Sequence, residues 1–249
     1  MQMSDFVTNR IKAILKEVSV VCMIELCQMP ITHNERGLTK LLQHIVVDTN
    51  VPLNEWTAQE RYACLLYYMI AVDGDSDISD GLNVSDYLLD VPNDGLDYEF
   101  EMSDGEESVA LRVQPLTAEY LEAIENIVMA GGVNGVTNQA AFELCAMAAQ
   151  IVERGKADDG LIQELVHTRA KALLEQPVSV YEYLREQWLI ASVEMAHLVN
   201  LAFDDGGVVL VSSKQVEIEK GVFGFMPARF CYYAVYDEST AEVWRSVAE

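Results

Sequence analysis

Residues 57–72 read TAQERYACLLYYMIAV, and the fold has to be built around this stretch. Thr57 and Glu60 form a T-x-x-E capping box, a pattern in which two side chains satisfy free backbone groups at the start of a helix. The residues that follow are apolar on every side of the predicted helix, so no stripe remains that would face water. The sequence therefore predicts a central core helix surrounded by other elements.

Further helices are predicted on both sides of this core helix. Apolar residues recur at helical spacing between Val7 and Leu26, and a second helix is predicted from Asn34. Residues 47–56, VDTNVPLNEW, are interpreted as a connector. Beyond the core helix, the patterns predict helices at 117–130, 137–154 and 160–175, and a long helix that runs from a capping box of Ser179 and Glu182 to Phe203.

Two regions favour β-structure. LDYEFEM (96–102) and SVALRVQ (108–114) alternate apolar and polar residues on either side of SDGEE, which predicts a hairpin with an acidic tip. VVLVSS (208–213), residues 216–218 and FCYYAVY (230–236) predict a small sheet, followed by a short helix at 240–247. The order predicts an α+β protein, predominantly helical, with an acidic β-hairpin in the middle and a small C-terminal antiparallel sheet. The predicted regions are 1–72, 73–115 and 116–249, in one or two compact domains.

The charge of the chain is strongly negative and unevenly distributed. Forty acidic and sixteen basic residues give a formal net charge of −24. Thirteen of the acids lie between residues 73 and 107, and no Lys or Arg occurs between Arg61 and Arg112. Such a chain disfavours direct contact with nucleic acid and favours partners with basic surfaces. The predicted partner-binding carboxylates are Asp97, Glu99, Glu101, Asp104, Glu106 and Glu107.

A second candidate contact lies in GVFGFMPAR, residues 221–229. Two glycines and a proline favour a docking loop over a strand at this position. Aromatic residues, Met and Arg are enriched in the cores of protein interfaces. The predicted anchors are Phe223, Phe225, Met226 and Arg229.

Asp73, Asp75 and Asp77 alternate as in a calcium-binding loop. An EF-hand needs Gly at the sixth position and a bidentate Glu at the twelfth, where this chain has Ile78 and Val84. A full EF-hand is therefore excluded, and a looser DxDxD cation site is the weaker alternative to a solvated acidic loop. The four histidines show no metal-binding spacing, so no metal site and no cofactor are predicted.

No nucleophile motif of the GxSxG type occurs, so the chain is predicted not to be an enzyme. A hydrolase whose site assembles only in three dimensions is an open alternative. The five cysteines show no CxxC pair and are interpreted as buried, reduced thiols. Neither a signal peptide nor a membrane-spanning helix is predicted.

Two segments resemble short elements of tail and baseplate assembly proteins of contractile-tailed bacteriophages. ERYACLLYYMIAVDGD (Glu60–Asp75) is similar to an acid-Arg-Tyr-Leu-Leu-type helix, and LRVQPLTAEYLEAIEN (Leu111–Asn126) to an R-x-x-P-L-T strand-to-helix junction. The order of the two elements is reversed here, and the resemblance transfers no functional residue.

The resemblance implies a virion structural or assembly role in the host cytoplasm, with retention in the virion and self-association left open. The implied partners are other virion or assembly proteins with basic surfaces. The alternative function is an acidic mimic of DNA that inhibits a nucleic-acid-binding enzyme.

Overall fold

The structure is a computed structural model that describes residues 2–30, 32–79, 81–90, 97–104, 107–156, 158–219 and 222–231. The α-helices in these ranges are α1 (Val20–Cys27), α2 (Asn34–Ile45), α3 (Ala58–Asp73), α4 (Ala118–Met129), α5 (Asn138–Gln150), α6 (Ile162–Leu174) and α7 (Val178–Glu194). The strands are β1 (Gln2–Val7), β2 (Lys12–Lys16), β3 (Val46–Thr49), β4 (Asp77–Ser79), β5 (Leu82–Asn83), β6 (Tyr98–Asp104), β7 (Glu107–Val113), β8 (Ile151–Glu153), β9 (Asn200–Asp204), β10 (Gly207–Glu219) and β11 (Val222–Ala228). Short 3₁₀ helices lie at Leu53–Glu55 and Val84–Tyr87.

Helices and small antiparallel sheets together confirm the predicted α+β class. Within the described ranges the strands form four sheets, in the orders β1-β2-β3, β4-β5, β6-β7-β8 and β11-β10-β9. Each pairing within these sheets is antiparallel. One cluster of buried apolar side chains draws residues from all three regions into which the sequence was divided.

The core position of α3 and its capping box are confirmed. The backbone N–H of Glu60 donates to Thr57 Oγ1 (3.3 Å), and the N–H of Thr57 donates to Glu60 Oε2 (2.7 Å). Tyr62, Cys64 and Leu65 are fully buried along the helix. A helix with apolar side chains all round is stable only where other elements cover it. Other elements cover α3 from Ala58 to Leu66, whereas Val72 near its end is exposed.

The prediction of one N-terminal helix is wrong. The chain first makes the hairpin β1-β2, and only Val20–Cys27 is helical. Ile11, Ala13 and Leu15 point inward at every second residue and are almost fully buried, which is the period of a strand. The connector prediction also misses β3, which pairs with β2 and completes this sheet.

Two helices end earlier than predicted. α5 stops at Gln150 because the next three residues form β8 and pair with β7. α7 stops at Glu194, and β9 begins at Asn200. The predicted capping box of Ser179 and Glu182 is absent, because Pro177 occupies the N-cap position and makes no side-chain cap.

The predicted docking loop at 221–229 is wrong in its backbone conformation. Residues 222–228 form β11, which pairs with β10 through positions that include Leu210 with Ala228 and Gln215 with Phe225. The strand expected at 216–218 is the end of the thirteen-residue β10. Phe230 and Cys231 are buried outside any strand. The remainder of FCYYAVY and the helix predicted at 240–247 lie outside the described residues.

In the part of the chain that the structure describes, no helix has both the length and the apolar character needed to cross a bilayer.

Candidate functional site

Glu99 and Glu101 of β6 lie on one face of the β6-β7-β8 sheet. β6 and β7 pair residue for residue from Tyr98 with Val113 to Asp104 with Glu107. Successive side chains of a strand point to opposite faces, so Phe100 projects to one face and Glu99 and Glu101 to the other. Phe100 is buried, whereas both glutamates are exposed.

The apolar face of β6 is fastened to α7. Tyr98 Oη donates to Gln187 Oε1 (3.1 Å), and Tyr183 Oη donates to the Glu101 carbonyl oxygen (2.8 Å). The rings of Phe100 and Tyr183 meet edge to face with centroids 6.2 Å apart. These contacts hold the sheet on α7, whose Leu184, Trp188 and Ala191 are buried, so the acidic face has a fixed position.

Tertiary structure changes the charge pattern at this face. Arg112 of β7 stands opposite Glu99 in the ladder, and Arg154, which follows β8, places Nε 3.2 Å from Glu99 Oε1, so this face also carries positive charge. Ser108 Oγ donates to Glu101 Oε2 (3.3 Å). Asp97 is exposed and has no ion pair or hydrogen bond among the described residues. Asp97 and Glu101 are the carboxylates of this face that form no ion pair within the described ranges.

Two further exposed acids lie on α7, which packs against the opposite face of this sheet. Glu182 and Glu186 stand one helical turn apart, each one residue before a side chain that contacts β6. We define the acidic surface as Asp97, Glu99 and Glu101, the carboxylates on the face that points away from α7.

Three predicted contact residues lie at the tip of the β6-β7 hairpin, namely Asp104, Glu106 and Glu107. Asp104 and Glu107 are paired through their backbones at the end of the ladder. Glu106 lies outside the described residues.

The four C-terminal candidates lie in or beside the β9-β10-β11 sheet, and they differ in availability. Phe225 is 50% exposed, whereas Met226 packs against the core and donates its N–H to Ser212 Oγ (3.0 Å). The guanidinium of Arg229 forms an ion pair with Asp204. Phe223 of β11 pairs through its backbone with Glu217 of β10. Of the three whose side chains are described, Phe225 is the one open to a partner.

The Asp73, Asp75 and Asp77 loop is organised by internal hydrogen bonds. Asp75 accepts from the N–H of Ser85 (2.9 Å) and from its hydroxyl (2.6 Å), and these bonds hold the pKa of Asp75 below its usual value. Asp73 ends α3 and Asp77 belongs to β4. Among the described residues, no three His, Cys, Asp or Glu side chains are grouped so that they could hold a metal ion.

No protein-family model, curated protein or solved structure matches this chain significantly. The bacteriophage resemblance of Glu60–Asp75 and Leu111–Asn126 therefore remains a prediction. In the structure these segments form α3 and the junction from β7 to α4. The start of α3 contacts this junction, because the N–H of Ala58 donates to the carbonyl oxygen of Leu116 (2.7 Å).

A buried polar network joins α2, α3 and α4, and no local pattern of residues predicts it. Glu125 of α4 accepts from the N–H of Glu35 (3.0 Å) and so caps the first turn of α2. Burial raises the pKa of Glu125 to about 7. The pKa of Glu35 is also raised by burial, although Arg61 lies 3.6 Å away and the Tyr62 hydroxyl donates to it. The network lies inside the protein and is interpreted as structural.

A cavity of about 190 Å³, named here the Trp188 pocket, lies between the start of α3, α5, α7 and β9. Apolar side chains such as Leu116, Trp188 and Phe203 form much of its wall. Leu189 and Gln139 also line it and are exposed, so they mark its mouth. No single stretch of sequence indicates this pocket, because the residues of its wall are spread along the chain from Thr57 to Val208.

Proposed function

We propose that this chain is a non-enzymatic protein that acts by binding other proteins, as a structural or assembly component of a bacteriophage tail or baseplate. The observation that carries the proposal is the mounting of the acidic surface on α7. An acidic β-hairpin held on α7 offers a preformed negative face, and a partner needs a Lys- and Arg-rich surface to match it. Assembly in the host cytoplasm and retention in the virion belong to the same proposal.

Exposed carboxylates of this kind act mainly on association rate and specificity. A single exposed ion pair contributes roughly 0–1 kcal/mol, whereas a surface of one sign steers oppositely charged partners from a distance. The net charge of −24 strengthens this steering. Salt screens such attraction, so binding through the acidic surface should weaken as ionic strength rises.

Phe225 supplies the apolar part of the proposed contact. Binding energy at interfaces concentrates in a few aromatic or Arg anchors that are covered on association. Phe225 is half exposed on β11, so a partner that covers it would remove apolar area from water. Arg229 is assigned to the fold instead, because it is paired with Asp204.

Co-purification of the untagged chain with its partner, followed by a salt titration, tests the proposal. The Asp97→Lys/Glu101→Lys variant should weaken the complex at least about tenfold at low salt and flatten its salt dependence. Asp159→Lys/Glu175→Lys is the matched control, because both acids are exposed beside α6 and their reversal changes the net charge by the same amount. Deletion of residues 96–107 is unsuitable, since it would remove the buried Phe100.

Binding that is insensitive to salt and to the double reversal would contradict the role of the acidic surface. Duplex DNA added as a competitor separates the alternative function. If DNA displaces the chain from a nucleic-acid-binding enzyme, the chain is an inhibitor that mimics DNA rather than an assembly protein.

A further inference from the structure

One buried ring nitrogen of the Trp188 pocket has no partner among the described residues. His197 lines the pocket and is only 8% exposed. Its Nδ1 lies 3.0 Å from the carbonyl oxygen of Met195, and because a carbonyl only accepts, Nδ1 carries the hydrogen. In the neutral ring Nε2 then has a free lone pair, and Nε2 has no hydrogen-bond partner among the described residues.

Several other polar side chains of the pocket are already engaged. Gln59 Oε1 accepts from the N–H groups of His197 (2.9 Å) and Leu198 (3.3 Å), and its Nε2 donates to the carbonyl oxygen of Met195 (2.9 Å). Gln150 Oε1 accepts from the indole N–H of Trp188 (2.9 Å). Glu143 accepts from Gln139 Nε2 (3.0 Å) and lies 3.6 Å from Arg185, while Gln139 and Ser192 are exposed. His197 Nε2 is therefore the buried acceptor that a ligand would meet.

We infer that the Trp188 pocket binds a small aromatic ring that carries one hydrogen-bond donor, such as a phenol, with the ring beside Trp188 and the hydroxyl donating to His197 Nε2. The volume of about 190 Å³ suits this ligand, since an engineered apolar cavity of roughly 150 Å³ holds benzene. This site is separate from the acidic surface and does not depend on the proposed assembly function.

A matched pair of probes tests the hydrogen bond on the unmodified protein. p-Cresol and toluene have similar rings, but only p-cresol can donate to Nε2. p-Cresol is expected to bind with a dissociation constant on the order of 1 mM and about tenfold more tightly than toluene, because toluene would leave the buried acceptor unpaired. The readout is the NMR shift of the Trp188 indole N–H, which lies in the pocket wall.

Three variants locate the binding. His197→Phe should abolish the preference for p-cresol, since it removes the acceptor and keeps a ring. Ser192→Phe should fill the pocket and abolish binding of both probes. Val193→Phe is its matched control, because Val193 is the next residue of α7, is 77% exposed and does not line the pocket. If Ser192→Phe does not fold, Leu189→Trp fills the pocket from its exposed mouth.

Three results would overturn the inference. These are equal affinity for p-cresol and toluene, no binding of either probe up to its solubility, or p-cresol binding that survives in a folded pocket-filling variant. N-acetyltyrosinamide separates two sources of the ligand. If it binds as well as p-cresol, the pocket takes a tyrosine side chain of a partner protein. If only p-cresol binds, the pocket takes a free small phenol.

Discussion

The carboxylates of Glu35 and Glu125 lie inside the protein, whereas those of Asp97 and Glu101 lie on its surface. Glu35 and Glu125 are 4% and 3% exposed. They are held by a guanidinium, a phenol hydroxyl and the first turn of α2. Asp97 and Glu101 face water and form no ion pair with any described residue. The same residue types thus serve two purposes, which their surroundings decide.

The energetic difference between the two groups is large. A charge taken out of water costs several kcal/mol unless partners replace its hydration, so a buried carboxylate depends on each donor around it. An exposed carboxylate keeps its water and loses little when its neighbours change. Substitutions should therefore affect stability inside the protein and binding at its surface.

Arg61→Ala should have the largest effect on stability. Arg61 is 1% exposed and donates to the carbonyl oxygen of Glu35 (3.0 Å) and to Thr39 Oγ1 (3.1 Å). Its removal takes away the cation that acts most strongly on the buried Glu35, and we expect the free energy of unfolding to fall by about 3–5 kcal/mol. Urea denaturation measures this change.

Arg185→Ala is the control for that substitution. Arg185 lies 3.6 Å from Glu143 in a partly exposed ion pair, and its loss should cost at most about 1 kcal/mol. Similar losses in the two variants would show that the buried network does not depend on Arg61.

The pH dependence of stability should report the buried Glu125. Burial raises its pKa from 4.5 to about 7, so between these values the native state holds a proton that the unfolded chain has released. The contribution to stability is therefore complete below about pH 4.5 and is lost as pH rises to about 7. The loss amounts to up to about 3 kcal/mol.

Glu125→Gln should reduce this slope, since the amide keeps an oxygen for the N–H groups of α2 and does not titrate. The part due to Glu35, whose pKa burial also raises, should remain. Denaturation midpoints of both proteins between about pH 5 and 8 measure the difference. Glu119→Gln, at an exposed position of the same helix, should retain the wild-type slope. An unchanged slope in Glu125→Gln would place the titrating group elsewhere.

Reversal of the surface carboxylates should have the smallest effect on stability. Asp97→Lys and Glu101→Lys, made together, are expected to change the free energy of unfolding by less than about 0.5 kcal/mol, because both side chains are exposed. Thermal unfolding checks this expectation. A loss above about 2 kcal/mol would mean that the acidic surface contributes to the fold itself.

Part of the candidate site could be predicted because its signals are local. The alternation of Tyr98, Glu99, Phe100 and Glu101 specifies which side chains share a face, and the structure places the first and third toward α7. The pairing of Glu99 with Arg154 could not be predicted, since nothing near Glu99 in sequence indicates β8. The Trp188 pocket could not be predicted either, because the residues of its wall are far apart in the sequence.

The sequence by itself determined the α+β class, the core helix α3 and its capping box. A cap and a helical periodicity each depend on a few residues that are neighbours in the sequence. Tertiary structure alone decided that residues 2–16 are strands, that β8 ends α5, and that residues 222–228 form β11. Each of these strands exists because it pairs with another strand elsewhere in the chain. A strand gains its hydrogen bonds from such a partner, whereas a helix makes its own.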